Sequence, residues 1–292
     1  MEPTRRLIAL LCSVPLLLAA ATGNAAVRVA VSVLPLAAFA ERVGGDRVRV
    51  QTLVGPGQNP HSFEPTARQI EELTSAELFW RVGMPFEEAW IARLRSQNSG
   101  LNILDARAGL QLPPASARAA ASPYPHDEGH DHDPHVWTSP TLVGAMVPRL
   151  ADALAALDPA GAAVYHANAA AYVAELEALD AELRQILAPL RNRRFLVYHP
   201  AWGEFAATYG LEQVAIERDG KEPGARSLAG LATLAGEAGI RVIFVQPQSS
   251  PRSAQVLARE LGARVVTVDP LAPDYAAGLR ALARALVEAA AP

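Results

Sequence analysis

Residues 27 to 54 read VRVAVSVLPLAAFAERVGGDRVRVQTLV, and this stretch decides the fold. Val27 to Val33 is rich in β-branched residues and predicts a strand. Ala37 to Val43 predicts a short helix, which ends at the Gly44-Gly45 pair. Val48 to Val54 predicts a second strand. A strand, a helix and a strand in this order predict a parallel βαβ unit.

The same alternation continues along the chain. Between and after the strands, helices are predicted at residues 66–76, 227–238, 253–261 and 274–290. A longer helical stretch starts at Asp158, a predicted N-cap followed by a proline at the first helical position. The further strands are predicted at residues 78–82, 101–104, 195–198, 213–216, 242–246 and 265–268.

The order of these elements predicts an α/β fold with two Rossmann-like lobes, each built on a parallel sheet. We expect an N-terminal lobe at residues 27–157 and a C-terminal lobe at residues 191–292. A connecting helix at residues 158–190 would join them, since about 30 helical residues extend about 45 Å. Prolines interrupt the first lobe and predict a loop at residues 115–134.

The N-terminus has the pattern of a Sec-type signal peptide, predicted at residues 1–26. Arg5 and Arg6 precede an apolar run from Leu7 to Ala21, and small residues follow it. The run is shorter than the roughly 20 residues that span a bilayer, which favours cleavage over anchoring. We therefore expect an exported, periplasmic protein, and cleavage would remove Cys12.

Composition narrows the function classes. The formal net charge of −4 lacks the basic excess of nucleic-acid-binding proteins, so no nucleic-acid partner is expected. Cys12 is the single cysteine, which excludes a disulfide framework and a cysteine-based zinc finger. A metal site would use His, Asp, Glu or Asn, and a monomer is expected.

Four metal-ligand residues stand at informative places. His61 follows the second predicted strand, His199 and Asp269 directly follow later strands, and His135 follows the proline-rich loop. Ligands bind at the carboxyl ends of parallel strands, so we expect these groups to meet in the cleft between the lobes. Three imidazoles and one carboxylate suit Zn²⁺, with bonds of roughly 2.0–2.2 Å, and could also take Mn²⁺ or Fe²⁺.

A second group of histidines lies in the loop, in the stretch HDEGHDHD at residues 126–133. His126, His130 and His132 predict an auxiliary metal site, because such tracts offer many flexible ligands. Flexibility costs ordering entropy, so this site should bind more weakly than a preformed one. His166 is interpreted as an exposed, structural residue of the connecting helix.

Several motifs together resemble the metal-binding solute receptors of bacterial ABC importers, the zinc and manganese group. The resemblance covers essentially all of the chain after the signal peptide. The motifs are Asn59-Pro60-His61-Ser62-Phe63-Glu64-Pro65, Asp133-Pro134-His135-Val136-Trp137, Tyr198-His199-Pro200-Ala201-Trp202-Gly203 with Tyr209-Gly210-Leu211, and Val268-Asp269-Pro270-Leu271.

The resemblance implies that His61, His135, His199 and Asp269 ligate one metal ion between two lobes. Many manganese receptors have glutamate at the third histidine, so His199 favours zinc. The family often has Glu-Pro-Gln before the aspartate, whereas this chain has Gln246-Pro247-Gln248. We expect altered hydrogen bonding around the ligands there rather than lost binding.

The resulting hypothesis is a non-enzymatic receptor that captures Zn²⁺ with high affinity and delivers it to an ABC permease. A manganese or iron receptor is the nearest alternative. An exported zinc hydrolase, with Glu64 as general base, is less favoured because a fourth protein ligand would fill the water position and no HExxH motif occurs. A metallochaperone or adhesin, or a receptor for an organic solute, also stays open.

Overall fold

The computed structural model describes residues 25–112, 133–217, 222–248 and 252–290. Most of the predicted signal peptide and the loop histidines His126, His130 and His132 lie outside the described residues. The described chain folds as two lobes, and each contains a four-stranded parallel sheet. This arrangement confirms the predicted α/β fold.

All eight predicted strands are present, with bounds within two residues of the prediction. The first sheet contains β1 (Val27–Val31), β2 (Val48–Thr52), β3 (Leu78–Arg81) and β4 (Asn102–Asp105). The second contains β5 (Arg194–Val197), β6 (Glu212–Ala215), β7 (Val242–Val245) and β8 (Arg264–Thr267). Their strand orders, β2-β1-β3-β4 and β6-β5-β7-β8, are equivalent. In each sheet the first strand in the chain lies centrally, with Val29 of β1 opposite both Val50 and Leu78.

Helices cover both sheets, and three of them were not predicted from the sequence. Thr66 caps the helix Ala67–Thr74 through a reciprocal capping box with Gln69. The unpredicted helices are Pro85–Gln97, Pro140–Leu157 and Gly203–Tyr209; the second contains Pro148, and the third is only seven residues long. The bounds are α1 (Leu34–Gly44), α2 (Ala67–Thr74), α3 (Pro85–Gln97), α4 (Pro140–Leu157), α5 (Ala162–Leu187), α6 (Gly203–Tyr209), α7 (Ala225–Glu237), α8 (Arg252–Leu261) and α9 (Tyr275–Ala289).

The connecting helix α5 has 26 residues and begins later than predicted, after a 3-10 turn at Pro159–Gly161. Asp158 lies at the N-cap position of this turn with Pro159 directly after it, as predicted, but its side chain makes no capping hydrogen bond. Its carboxylate instead accepts hydrogen bonds from Arg47 Nε and the Tyr165 hydroxyl, both at 2.8 Å. Asp158 therefore ties the start of α5 to the first lobe.

Contacts between the lobes are extensive. Helix α5 packs against α1 and α4 on one side and against α9 on the other. The Phe39 and Tyr275 rings, from different lobes, lie 4.9 Å apart. Helix α4 is long and apolar enough to cross a membrane by length and composition alone, but residues such as Met146 and Leu150 are buried in the core. Its burial is that of a core helix.

Candidate metal centre

His61 and His135 are positioned by the same local device, a side chain two residues earlier that accepts from the histidine backbone N–H, and His199 is positioned by a strand end. His61 lies in the 3-10 turn Pro60–Ser62 after β2, where the Asn59 side chain accepts a hydrogen bond from the His61 backbone N–H at 2.9 Å. His135 precedes the 3-10 turn Val136–Thr138, and Asp133 Oδ1 accepts from its backbone N–H at 2.9 Å. His199 follows the carboxyl end of β5 by two residues.

The three imidazoles converge although they come from both lobes. His61 Nε2 lies 3.2 Å from His135 Nε2 and 3.1 Å from His199 Nε2. The third side of the triangle, from His135 Nε2 to His199 Nε2, is 3.4 Å. A tetrahedral zinc ion with bonds of about 2.0–2.1 Å holds its ligand atoms about 3.3–3.4 Å apart. The triangle therefore has the size that a zinc ion requires.

Carboxylates fix the protonation of two of these rings. Asp133 Oδ1 lies 2.6 Å from His135 Nδ1, and Glu217 Oε1 lies 3.0 Å from His199 Nδ1. An ionised carboxylate only accepts hydrogen bonds, so each Nδ1 carries the proton. In the neutral rings, both Nε2 atoms then present lone pairs toward the same point. Two lone pairs at 3.4 Å repel each other, and a cation between them removes the repulsion.

Burial also favours the neutral form of the His199 ring. Loss of contact with water disfavours the imidazolium and lowers the pKa of His199, while the hydrogen bond to Glu217 raises it and His135 lowers it further. The net effect is a lowered pKa, which favours the neutral ring. Only the neutral ring can bind a metal through Nε2.

Asp269 is placed differently from the three histidines. It follows β8 by two residues, but it is not part of the group whose ligand atoms all lie within 4.8 Å of one another. Its Oδ1 accepts hydrogen bonds from Gln248 Nε2 at 2.7 Å and from the Leu271 backbone N–H at 2.9 Å. The structure therefore brings together His61, His135 and His199 and leaves Asp269 in a separate hydrogen-bond network.

Glu217 was not assigned a role from the sequence, whereas Gln246 lies in the stretch where altered hydrogen bonding around the ligands was expected. Glu217 lies directly after a predicted strand, so the strand-end rule could have found it. Gln246 bonds the His199 backbone twice, since its Nε2 donates to the His199 carbonyl at 2.8 Å and its Oε1 accepts from the N–H at 3.3 Å. Glu64, the candidate general base, is exposed, and His166 is an exposed partner of Asp152.

Comparison with known proteins gives a consistent family. Residues 29–289 match the family described as zinc-uptake complex component A, periplasmic. The high-affinity zinc uptake system protein ZnuA of Bacillus subtilis is 30% identical over 272 residues, which cover 87% of this chain and 85% of that protein. The zinc-binding lipoprotein AdcA of Streptococcus pneumoniae is 29% identical over 81% of this chain. This chain spans about half of AdcA, since the match covers 48% of that protein.

Comparison of the fold with solved structures gives the same family. A crystal structure of a ZnuA deletion mutant with zinc bound matches with a TM-score of 0.83 and 38% sequence identity, and it covers 91% of this chain and 99% of the other. The sequence match extends over nearly the whole chain, from the first strand to the last helix. The protein therefore belongs to the family of periplasmic A components of zinc-uptake complexes.

Proposed function

We propose that this protein captures Zn²⁺ in the periplasm and delivers it to the membrane permease of an ABC importer. The observation that carries the proposal is the triangle of Nε2 atoms, with two nitrogens fixed as lone-pair donors by Asp133 and Glu217. Neutral imidazoles are borderline ligands that suit zinc well. Family membership supports the same function.

The proposed ligands are His61, His135 and His199, with Asp269 as the fourth group. Asp269 contributes less, because Gln248 and Leu271 already bond its Oδ1. Ligands from both lobes make metal binding and the arrangement of the lobes interdependent. The permease would recognise the metal-loaded arrangement.

The experiment is calorimetric titration of metal-free protein with Zn²⁺. His199→Ala should weaken binding by more than the roughly 10–100-fold that loss of an outer-shell partner costs. His166→Ala is the matched control, because His166 is an exposed histidine on α5, away from the triangle. Equal affinity of His199→Ala and the parent would contradict the assignment of the site.

Asp269→Asn tests the number of ligands. Asn keeps an oxygen that can accept from Gln248 and Leu271 but removes the negative charge. We expect a smaller loss of zinc affinity than in His199→Ala. A loss as large as that of His199→Ala would show that Asp269 is an equal ligand.

Zinc is favoured over manganese because the converging atoms are nitrogens. Mn²⁺ prefers oxygen ligands and higher coordination numbers. Competition of Mn²⁺ against bound Zn²⁺, followed by elemental analysis, tests this choice. We expect Zn²⁺ to remain bound at equal concentrations of the two ions.

A zinc hydrolase is the competing function, since three histidines with an open fourth position also occur in catalytic zinc sites. Glu64 is exposed, which argues against its use as a shielded general base. We therefore propose a receptor rather than an enzyme. Zinc-dependent turnover of ester or peptide substrates would favour the hydrolase.

Export through a signal peptide at residues 1–26 and a monomeric state complete the proposal. Zinc binding by His126, His130 and His132 stays a prediction for the loop. Replacing these three residues by alanine should leave the high-affinity step of the zinc titration intact and remove a weaker one. Loss of the high-affinity step would contradict the auxiliary role.

A further inference from the structure

A cavity unrelated to the histidine triangle lies at the opposite edge of the second sheet. It has a volume of about 680 Å³ and is bounded by the amino ends of β5 and β7 and by the last turns of α9. His199, in contrast, follows the carboxyl end of β5. The volume falls within the range of about 300–1,000 Å³ that is typical of small-molecule sites.

The cavity has an apolar floor and a positively charged rim. Buried apolar side chains, including Phe195 and Leu286, form the floor. Four exposed arginines, Arg191, Arg193, Arg194 and Arg241, line the rim. The protein has a formal net charge of −4, yet four positively charged side chains surround the opening of this cavity.

Most of this charge is not neutralised within the part of the chain that the structure describes. Arg194 pairs with Glu212, with a distance of 2.7 Å from Nε to Oε2. Arg193 and Arg241 donate only long hydrogen bonds, of 3.4 and 3.5 Å, to backbone carbonyls. No ion pair joins Arg191, Arg193 or Arg241 to a carboxylate among residues 25–112, 133–217, 222–248 and 252–290.

We infer that this cavity binds a small amphipathic organic anion. The guanidinium groups would bond a carboxylate or a similar anionic head, often through two parallel hydrogen bonds. An aliphatic or aromatic body would cover the apolar floor and lose contact with water. The arginine rim alone would not hold a hydrocarbon, and the apolar floor alone would not hold a charge. The ligand must therefore carry both a charge and a hydrocarbon part.

The test uses the fluorescent probe 1-anilinonaphthalene-8-sulfonate on the purified protein, with and without zinc. Octanoate should displace the probe, whereas octanol and phosphate at the same concentration should not. Displacement by octanol as effective as that by octanoate would reduce the site to an apolar groove and overturn the inference. Equal displacement by phosphate would reduce it to a bare cationic patch, with the same consequence.

Two variants locate the binding. Arg193→Ala combined with Arg241→Ala should weaken octanoate binding by about tenfold or more, because charge-assisted hydrogen bonds are lost. Arg226→Ala combined with Arg252→Ala is the matched control: it removes the same charge from exposed positions at the starts of α7 and α8, outside the cavity. An equal loss in both double variants would mean that only net charge matters and would overturn the inference.

Ala289→Trp provides an independent test, because Ala289 lines the cavity and an indole there would fill part of it. Octanoate binding should fall while the zinc titration stays unchanged. Unchanged octanoate affinity in this variant would place the anion elsewhere. The zinc titration also separates this inference from the proposed function, since either can fail alone.

Discussion

The two lobes have equivalent strand orders but carry different side chains at equivalent strand ends. In the first lobe, β2 leads to the candidate ligand His61, whereas the equivalent strand β6 of the second lobe leads to Glu217. Glu217 is the hydrogen-bond partner of His199. His199 lies two residues after β5, while the buried Val33 lies two residues after the equivalent strand β1. Topology therefore supplies the positions, and the local side chains decide which position binds and which supports.

His61 and His199 are held by different contacts. The backbone N–H of His61 bonds to Asn59 within a short turn, and the residue is partly exposed. His199 is held through both backbone polar groups by Gln246 and through its ring by Glu217. His199, like His135 with its backbone and ring bonds to Asp133, is thus oriented before metal arrives, which lowers the ordering cost of binding.

Among residues that support the histidines, the largest expected effect on zinc binding comes from removing the carboxylate behind a ring. Glu217→Gln and Asp133→Asn should each weaken zinc binding by about 10–100-fold, since the carboxylate fixes the tautomer and raises the basicity of the ligand. Calorimetric titration with Zn²⁺ measures both. Similar losses in the two variants would mean that the lobes depend equally on their carboxylates.

Glu222→Gln is the control for this comparison. Glu222 carries the same charge in the second lobe, but its carboxylate accepts from the Tyr198 hydroxyl at 3.3 Å rather than from a histidine. Zinc affinity should change little in this variant. An equal loss in Glu222→Gln and Glu217→Gln would show that long-range charge, not the bond to His199, is responsible.

The sequence predicted some features of the fold and of the site and missed others. Strands and strand-end residues were predictable because they depend on local apolar patterns, and these patterns placed His61 and His199, while His135 was placed only after a proline-rich loop; the structure brings the three together. The partner of Asp158 was not predictable, because Arg47 lies 111 residues away in the chain. Nor could a linear pattern show that Gln248, 21 residues away in the chain, bonds Asp269. Such contacts depend on how packed elements orient their side chains.

Gln246→Glu should have the next largest effect on zinc affinity. It tests the two hydrogen bonds that Gln246 makes to the backbone of His199. A carboxylate can accept from the His199 N–H but cannot donate to its carbonyl, which Gln246 does at 2.8 Å. The His199 carbonyl keeps a second bond, from the Ala201 N–H at 2.8 Å, so the loss of the Gln246 bond costs about 0.5–1.5 kcal/mol of stability. We expect a lower unfolding free energy in denaturant and a smaller loss of zinc affinity than in Glu217→Gln.

Gln213→Glu is the matched control for this substitution. Gln213 Oε1 accepts from the Trp202 backbone N–H at 2.7 Å, so glutamate can keep that bond. Its unfolding free energy should therefore fall less than that of Gln246→Glu. Equal destabilisation of the two variants would mean that charge burial, rather than the lost donor, dominates at both positions.

Trp137→Phe should have the smallest effect on zinc binding, and it tests whether the lobes are held together by protein contacts independently of metal. Trp137 Nε1 donates to the Pro270 carbonyl across the lobe interface at 2.8 Å. Loss of this bond should cost about 1 kcal/mol, or roughly 2–4 °C in melting temperature. The decrease should be the same with and without zinc, because the ring of His135 keeps its bond to Asp133. Trp90→Phe, the same exchange on α3 away from the interface, should lower the melting temperature less. A larger loss of zinc affinity in Trp137→Phe than in Glu217→Gln would instead make this hydrogen bond part of the metal site.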